Sequence, residues 1–154
     1  MLNIVLYSPE MPQNVGNIGR TCVLTGAKLH LIKPYMFDLS GKAIRRAGMD
    51  YWKYLNLEIH GDIYEFLDKY GDQKIYLATT HGSVPYTEVT YEDNSFIIFG
   101  KESSGLPDFV HEKYPNTAIR VPMIETSERS LTLSNTVAIV TYEALRQQGF
   151  PNMK

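Results

Sequence analysis

The stretch "SFIIFGKESSGLP", residues 95–107, joins an unbroken apolar run to a turn that holds Gly100, Glu102, two serines and Gly105. Phe96, Ile97, Ile98 and Phe99 show no in/out alternation, and neither does "IYLA" at residues 75–78. A strand that is apolar on both faces belongs in a sheet covered on both sides, which is the setting of parallel sheets. The turn raises a second question. A glycine at a strand end serves either a left-handed backbone angle or the close approach of a ligand to the main chain.

Outward from this stretch the sequence alternates strand and helix from end to end. Short apolar runs stopped by turn residues such as Pro34 and Pro122 predict strands at residues 2–7, 28–32, 55–59, 74–78, 95–99 and 118–121. Helices are expected at 15–25 closed by Gly26, at 42–47 before Gly48, from an Asp62 cap to Tyr70 and Gly71, at 108–113, and at 133–148 before Gly149 and Pro151. The expected fold is α/β, one domain over residues 1–154, with a mostly parallel sheet and helices on both faces. No repeat, linker or low-complexity tract divides it.

The 154 residues are 44% apolar, enough for one ordinary core. No apolar run approaches the ~20 residues of a membrane span, and "MLNIVLYSPE" lacks the basic flank and cleavage site of a signal peptide. A cytoplasmic protein with no membrane partner is expected. The single cysteine, Cys22, leaves no internal disulfide. His30, His60, His81 and His111 are scattered along the chain without metal-ligand spacing, so no metal is expected.

Ligands of open parallel sheets gather beyond the carboxyl ends of the strands. Four suggestive segments fall there: "SPEMPQNVGNIGRTC", "TTHGS", "GKESSGLP" and "VPMIETSERSLTLSN". In the first, Gly16 and Gly19 hint at a dinucleotide fingerprint, but the full G-x-G-x-x-G and its acidic ribose ligand are missing. Arg20 is expected in the first turns of a helix, where the dipole disfavours a cation. Either an anion such as a phosphate compensates, held with Asn14 and the helix amides, or Arg20 reaches a carboxylate such as Glu10 or Glu125.

With a net charge of -2, affinity for nucleic acid requires a local patch. In "GKAIRRAGMDYWKY", residues 41–54, Lys42, Arg45 and Arg46 share one face of a helix. Tyr51, Trp52 and Tyr54 follow; they suit unpaired bases, and equally suit a core behind a solvated helix. In the last helix residues 137–140, "VAIV", are apolar all round. One face can cover the sheet, and the other calls for a second copy of the chain.

Taken in order, "NVGNIGRTC", "FGKESSGLP" and "RSLTLSNTVAIVTYEALRQ" resemble the three signature motifs of the SpoU branch of the SPOUT methyltransferases. The resemblance spans essentially the whole chain. "MLNIVLYSPEMPQNVGNIGR", "RRAGMDYW" and "ALRQQGFP" are similar to the minimal-length members that methylate the ribose of the tRNA wobble nucleotide, cytidine or uridine 34. The resemblance implies an S-adenosylmethionine-dependent tRNA 2'-O-methyltransferase that acts as a homodimer and carries a C-terminal trefoil knot, an exception to the rule against threading.

It further implies a cofactor bent among loops near residues 78–80, 99–105 and 121–133, touching Ala78, Thr79, Gly100, Glu102, Gly105, Val121, Met123, Ser130, Leu131 and Asn135. Glu102 would either tie its loop to backbone amides or face the RNA. Arg20, Asn14 and Tyr142 fall to the chemistry, and Lys42, Arg45, Arg46 and Arg129 to the RNA. Thr132 stands where the family usually has asparagine, keeping a hydroxyl and losing an amide.

Displacement at a methyl carbon by a ribose hydroxyl demands in-line geometry more than a metal or a covalent intermediate. A guanidinium is not a proton acceptor, so Arg20 is expected to orient the hydroxyl and stabilise its developing charge. Other readings remain open: a catalytically silent RNA-binding dimer, a methyltransferase of another RNA site, or an oxidoreductase or phosphate-ligand enzyme built on "NVGNIGR".

Overall fold

The computed structural model describes residues 1–47 and 49–154; Gly48, expected to follow the second helix, lies outside them. The chain runs β1 (Asn3–Tyr7), α1 (Pro12–Thr25), β2 (Lys28–Ile32), α2 (Gly41–Arg46), a 3-10 helix (Asp50–Tyr54), β3 (Leu57–His60) and α3 (Ile63–Tyr70). It continues through β4 (Ile75–Ala78), β5 (Val84–Pro85), β6 (Phe96–Gly100), α4 (Asp108–Lys113), β7 (Ala118–Arg120) and α5 (Leu133–Gln147). The sheet has seven strands in the order β3-β2-β1-β6-β4-β7-β5, and each pairing is parallel.

Parallel pairing requires a crossover for each strand, and the crossover helices cover both faces. Ile97 and Phe99 point into a core shared with Val15, Ile18 and Cys22 of α1 and Val137, Val140 and Ala144 of α5. Phe96 and Ile98 point into the opposite core, with Ile63 and Phe66 of α3 and Val110 of α4. This double burial is why the stretch at residues 95–99 lacks alternation. Among the described residues no helix is long and apolar enough to cross a membrane.

Several boundaries differ from expectation. Helix α1 starts at Pro12 rather than residue 15, since proline in the first turn forfeits no intrahelical hydrogen bond. Strand β3 begins at Leu57 rather than residue 55 because the 3-10 helix ahead of it closes at Leu55, whose N–H bonds the Trp52 carbonyl. The two-residue strand β5 is too short to leave a period in the sequence. Gly82 leads into it at a point where a Cβ would stand 2.5 Å from the Ile119 backbone. The Asp62 cap is as expected, its carboxylate accepting from the Glu65 N–H at 2.8 Å.

Two of the four histidines, His30 and His60, meet in space, although their spacing along the chain gave no sign of it. Parallel pairing of β2 with β3 puts His30 opposite Glu58, and His60 lies two residues further on. The Asn3 amide nitrogen donates to the Asn94 carbonyl, leaving Asn3 Oδ1 to face His30 Nε2 at 2.9 Å. His30 therefore donates from Nε2 and accepts at Nδ1 from His60 Nε2, 3.0 Å away. Both rings are buried. Burial, then the neighbouring His60 and Lys28, push the His30 pKa down to about 3. Burial raises the Glu58 pKa, but hydrogen bonds from Lys28, Lys69 and Tyr70 outweigh it and hold the carboxyl well below its usual range.

A neutral folded His30 has a pH consequence. Below an unfolded-state pKa of ~6.5 the unfolded chain binds a proton that the folded chain refuses, so stability falls with pH until the folded pKa is reached. Between pH 7 and pH 5 the loss from His30 alone is about 2 kcal/mol. His30→Gln keeps a donor for Asn3 and an acceptor for His60 without the proton. Urea unfolding at both pH values is expected to show a smaller acid loss in the variant than in the parent.

Candidate functional site

At the carboxyl end of the central strands lies a cavity of about 910 Å³. All four strand-end segments singled out in the sequence contribute to its wall. Asn14 comes from the start of α1, Ala78 and Thr79 from the end of β4, Gly100, Glu102 and Gly105 from the loop after β6, and Val121, Met123, Ser130 and Leu131 from the segment between β7 and α5. Met11, Leu106, His111, Ile119 and Thr136, none of them a candidate from the sequence, also line this wall. Thr136 stands one turn beyond Thr132, in the first turn of α5.

The glycine question has a structural answer. Gly100 has φ +103°, and a Cβ there would lie 2.8 Å from the Tyr7 carbonyl oxygen on the paired strand β1. The fold itself requires glycine at this point, whatever the cavity holds. Gly105 also has a positive φ, +69°, with open space where a side chain would be.

Glu102 is committed to the protein. Its carboxylate accepts from the Glu10 N–H at 3.1 Å, the Met11 N–H at 2.8 Å and the Asn14 side-chain amide at 3.5 Å, which sets a negative charge beside the N-terminal end of α1. Glu10 returns the contact, accepting from the Ser103 N–H and hydroxyl at 2.8 Å each. The Ser103 backbone bond, then its hydroxyl, hold the Glu10 carboxyl below its usual range. Two carboxylates thus clasp the loop after β6 to the start of α1.

Arg20 is placed differently from the expectation. With α1 starting at Pro12, it sits beyond the second turn, where the dipole no longer opposes a cation, so that argument for a bound anion lapses. Among the described residues no carboxylate pairs with it; Glu10 is taken by Ser103, and Glu125 is not a partner. Its guanidinium carbon lies 5.9 Å from the centre of the Tyr51 ring. Arg20 is exposed and does not line the cavity, and the same holds for Arg129, Asn135 and Tyr142.

Gly16 and Gly19 are packing glycines, not a nucleotide fingerprint. A Cβ on Gly19 would stand 2.6 Å from a Trp52 ring carbon, and one on Gly16 would stand 3.0 Å from the Met49 sulfur. The Tyr51 hydroxyl donates to the Gly16 carbonyl at 2.6 Å. Trp52 and Tyr51 are therefore half-buried against α1 rather than open to bases, while Tyr54 remains 71% exposed. Lys42, Arg45 and Arg46 all project from α2 into solvent.

On α5, Val137 and Val140 are buried within the chain, but Ala138 and Ile139 are only half-covered and Tyr142 is 43% exposed. One face of this helix is therefore open in the single chain. Thr132 is its N-cap residue, yet its side chain makes no cap bond and stands 3.5 Å from the Ser134 hydroxyl. A metal-capable group among the described residues, His30 with Glu58 and His60, lies outside the cavity wall, and the Glu58 oxygens already serve Lys28, Lys69 and Tyr70.

This architecture has close parallels. The chain is 44% identical over 152 residues to the tRNA (cytidine(34)-2'-O)-methyltransferase of Escherichia coli (strain K12), covering 98% of this chain and 96% of that protein. A solved structure concerned with the 2-OH methylation of C/U34 on tRNA matches with a TM-score of 0.87 at 37% identity, over 97% of each chain. The fold recurs in the SpoU methyltransferase AviRb from Streptomyces viridochromogenes, solved in complex with AdoMet, with a TM-score of 0.77 at 22% identity, over 96% of this chain and 60% of that one. The SpoU rRNA Methylase family model matches residues 1–142, and the chain belongs to the SpoU methylase family.

Proposed function

We propose that this protein is an S-adenosylmethionine-dependent tRNA 2'-O-methyltransferase acting on the ribose of nucleotide 34, as a homodimer in the cytoplasm. The observation that carries the reading is the convergence of the four strand-end loops on one cavity, in a chain 44% identical to a cytidine-34 methyltransferase along nearly its full length.

The cavity fits the cofactor. Its volume is in the range of small-molecule sites, and Leu106, Ile119, Val121 and Leu131 offer apolar walls for an adenine. Main-chain groups at Ala78, Thr79, Gly100, Gly105, Val121, Met123, Ser130 and Leu131 would read its polar edges. When bound, S-adenosylmethionine supplies an electrophilic methyl group. Glu102 acts at one remove, by fixing the loop it belongs to. Asn14, held against Glu102, faces the cavity from α1.

Arg20 orients the ribose 2'-hydroxyl and stabilises the negative charge that grows on its oxygen as the proton passes to water. Lys42, Arg45, Arg46 and Arg129 bind phosphates. Homodimerisation covers the open face of α5 and brings Asn135 and Tyr142 toward the partner's site; the half-covered Ala138 and Ile139 and the 65% exposed Leu24 of α1 support it. The trefoil knot belongs to the same reading. The Gln147 side chain accepts from the Tyr91 N–H at 3.0 Å and donates to the Val89 carbonyl at 2.9 Å, which holds the end of α5 against that distant loop.

Val121→Trp fills the cavity with an indole. Calorimetry is expected to show cofactor affinity at least ~10-fold weaker at unchanged melting temperature, and an unaltered affinity would mean the cofactor binds elsewhere. Neutralising Arg45 and Arg46 together is expected to weaken tRNA binding and lower the slope of its salt dependence by about 2, with cofactor affinity intact. Arg20→Ala is expected to lower the single-turnover rate at saturating tRNA on the order of 10²-fold. A change in tRNA affinity alone would make Arg20 a phosphate anchor. Sedimentation at micromolar concentration is expected to give a dimer, and a monomer there would remove the two-subunit site.

A further inference from the structure

Arg20 lacks an ion-pair partner among the described residues, yet the proposed function asks its guanidinium to meet a hydroxyl at a defined point. A long side chain in solvent samples many rotamers, and catalytic placement requires that something restrict it. The group in position to do so is Tyr51. Its ring centre is 5.9 Å from the guanidinium carbon, within the reach of a cation–π contact. Its hydroxyl donates to the Gly16 carbonyl, the acceptor four residues before Arg20 on α1 and so the helical partner of the Arg20 N–H. Arg20's charge is felt by the Tyr51 phenol, where it opposes the larger, upward effect of burial on the pKa.

The ring is itself held from behind. Trp52, the next residue, lies against Gly19, and Met49 against Gly16, so the 3-10 helix seats on the two bare positions of α1. Any larger residue at Gly19 would collide with the indole and lift this helix away. Gly16, Gly19, Tyr51 and Trp52 form one unit, and Arg20 lies at its rim.

We propose that Tyr51 is a positioning residue for Arg20: its ring carries the guanidinium, and its hydroxyl fixes the ring to the helical turn from which Arg20 springs. The inference rests on the reading of Arg20 as the group that orients the ribose hydroxyl. It makes the 3-10 helix, which follows the basic helix α2 in the chain, part of the catalytic apparatus rather than a stacking platform for bases.

The test measures single-turnover methyl transfer to a tRNA anticodon stem-loop at saturating stem-loop and S-adenosylmethionine, with stem-loop affinity determined separately. Tyr51→Leu is expected to lower the saturated rate about tenfold, with affinity within about twofold of the parent. Tyr51→Phe, which keeps the ring, is expected to retain most of the rate. Tyr51→Leu added to Arg20→Ala is expected to lower the rate no further, because the ring then has nothing to position. An equal loss from Tyr51→Leu with and without Arg20, or a loss confined to affinity, overturns the inference. A full Arg20→Ala effect beside a silent Tyr51→Leu overturns the role of Tyr51 alone, whereas an Arg20→Ala rate equal to the parent's overturns the chemical role of Arg20 and the inference with it. If Tyr51→Leu does not fold, side-chain NMR of the parent decides: Arg20 side-chain protons shifted by the Tyr51 ring current support the inference, and unshifted protons overturn it.

Discussion

The pairing of β1 with β6 at the centre of the sheet is the contact on which the rest depends. It runs in register from Asn3 opposite Phe96 to Tyr7 opposite Gly100, and at its last rung the two backbones come so close that a Cβ on Gly100 would touch the Tyr7 carbonyl. Because the strands are parallel, both chains leave the sheet at the same edge. The loop toward α1 and the loop toward α4 are therefore neighbours, although they lie about ninety residues apart in sequence. The Glu102 and Glu10 clasp closes over that exit and fixes the angle at which α1 departs.

From there the placement of the site follows by packing. Helix α1 lies on one face of the sheet with α5, whose N-terminal turn supplies Leu133 and Thr136 to the cavity wall. Its two glycines accept the 3-10 helix, and this contact brings the basic helix α2 to the same side of the molecule as Arg20. One helix thus links the cavity, at its Asn14 end, to the basic region at its middle. The region of β2 and β3 has another character: His30 is bonded to His60, Glu58 accepts from Lys28, Lys69 and Tyr70, and none of these residues contributes to the cavity wall.

The fold class was legible in the sequence because double burial erases alternation, as it does at residues 75–78 and 95–99, and because the order of strands and helices permits a parallel sheet. The cavity was legible too, since parallel strands collect their exit loops at one edge and the suggestive residues stood in those loops. Motif order carried the family. Less legible was the ground for individual residues: Gly100, Gly16 and Gly19 read equally well as ligand-facing or fold-required, and only their neighbours distinguish the two.

By itself the sequence determined what local patterning and strand order can encode: a parallel α/β domain, its strand-end loops, the Asp62 cap and the exposed basic face of α2. Tertiary structure alone decided which distant residues meet. The pairing of His30 with His60 depends on the register of two strands, since neighbouring strands bring together residues that spacing leaves thirty apart. The seating of Trp52 on Gly19 and of Tyr51 beneath Arg20 depends on how a 3-10 helix, which leaves no period of its own, packs against a helix that starts three residues earlier than its apolar pattern indicates. Such contacts arise from shape and register across separate elements, and neither property is written in any one segment of the chain.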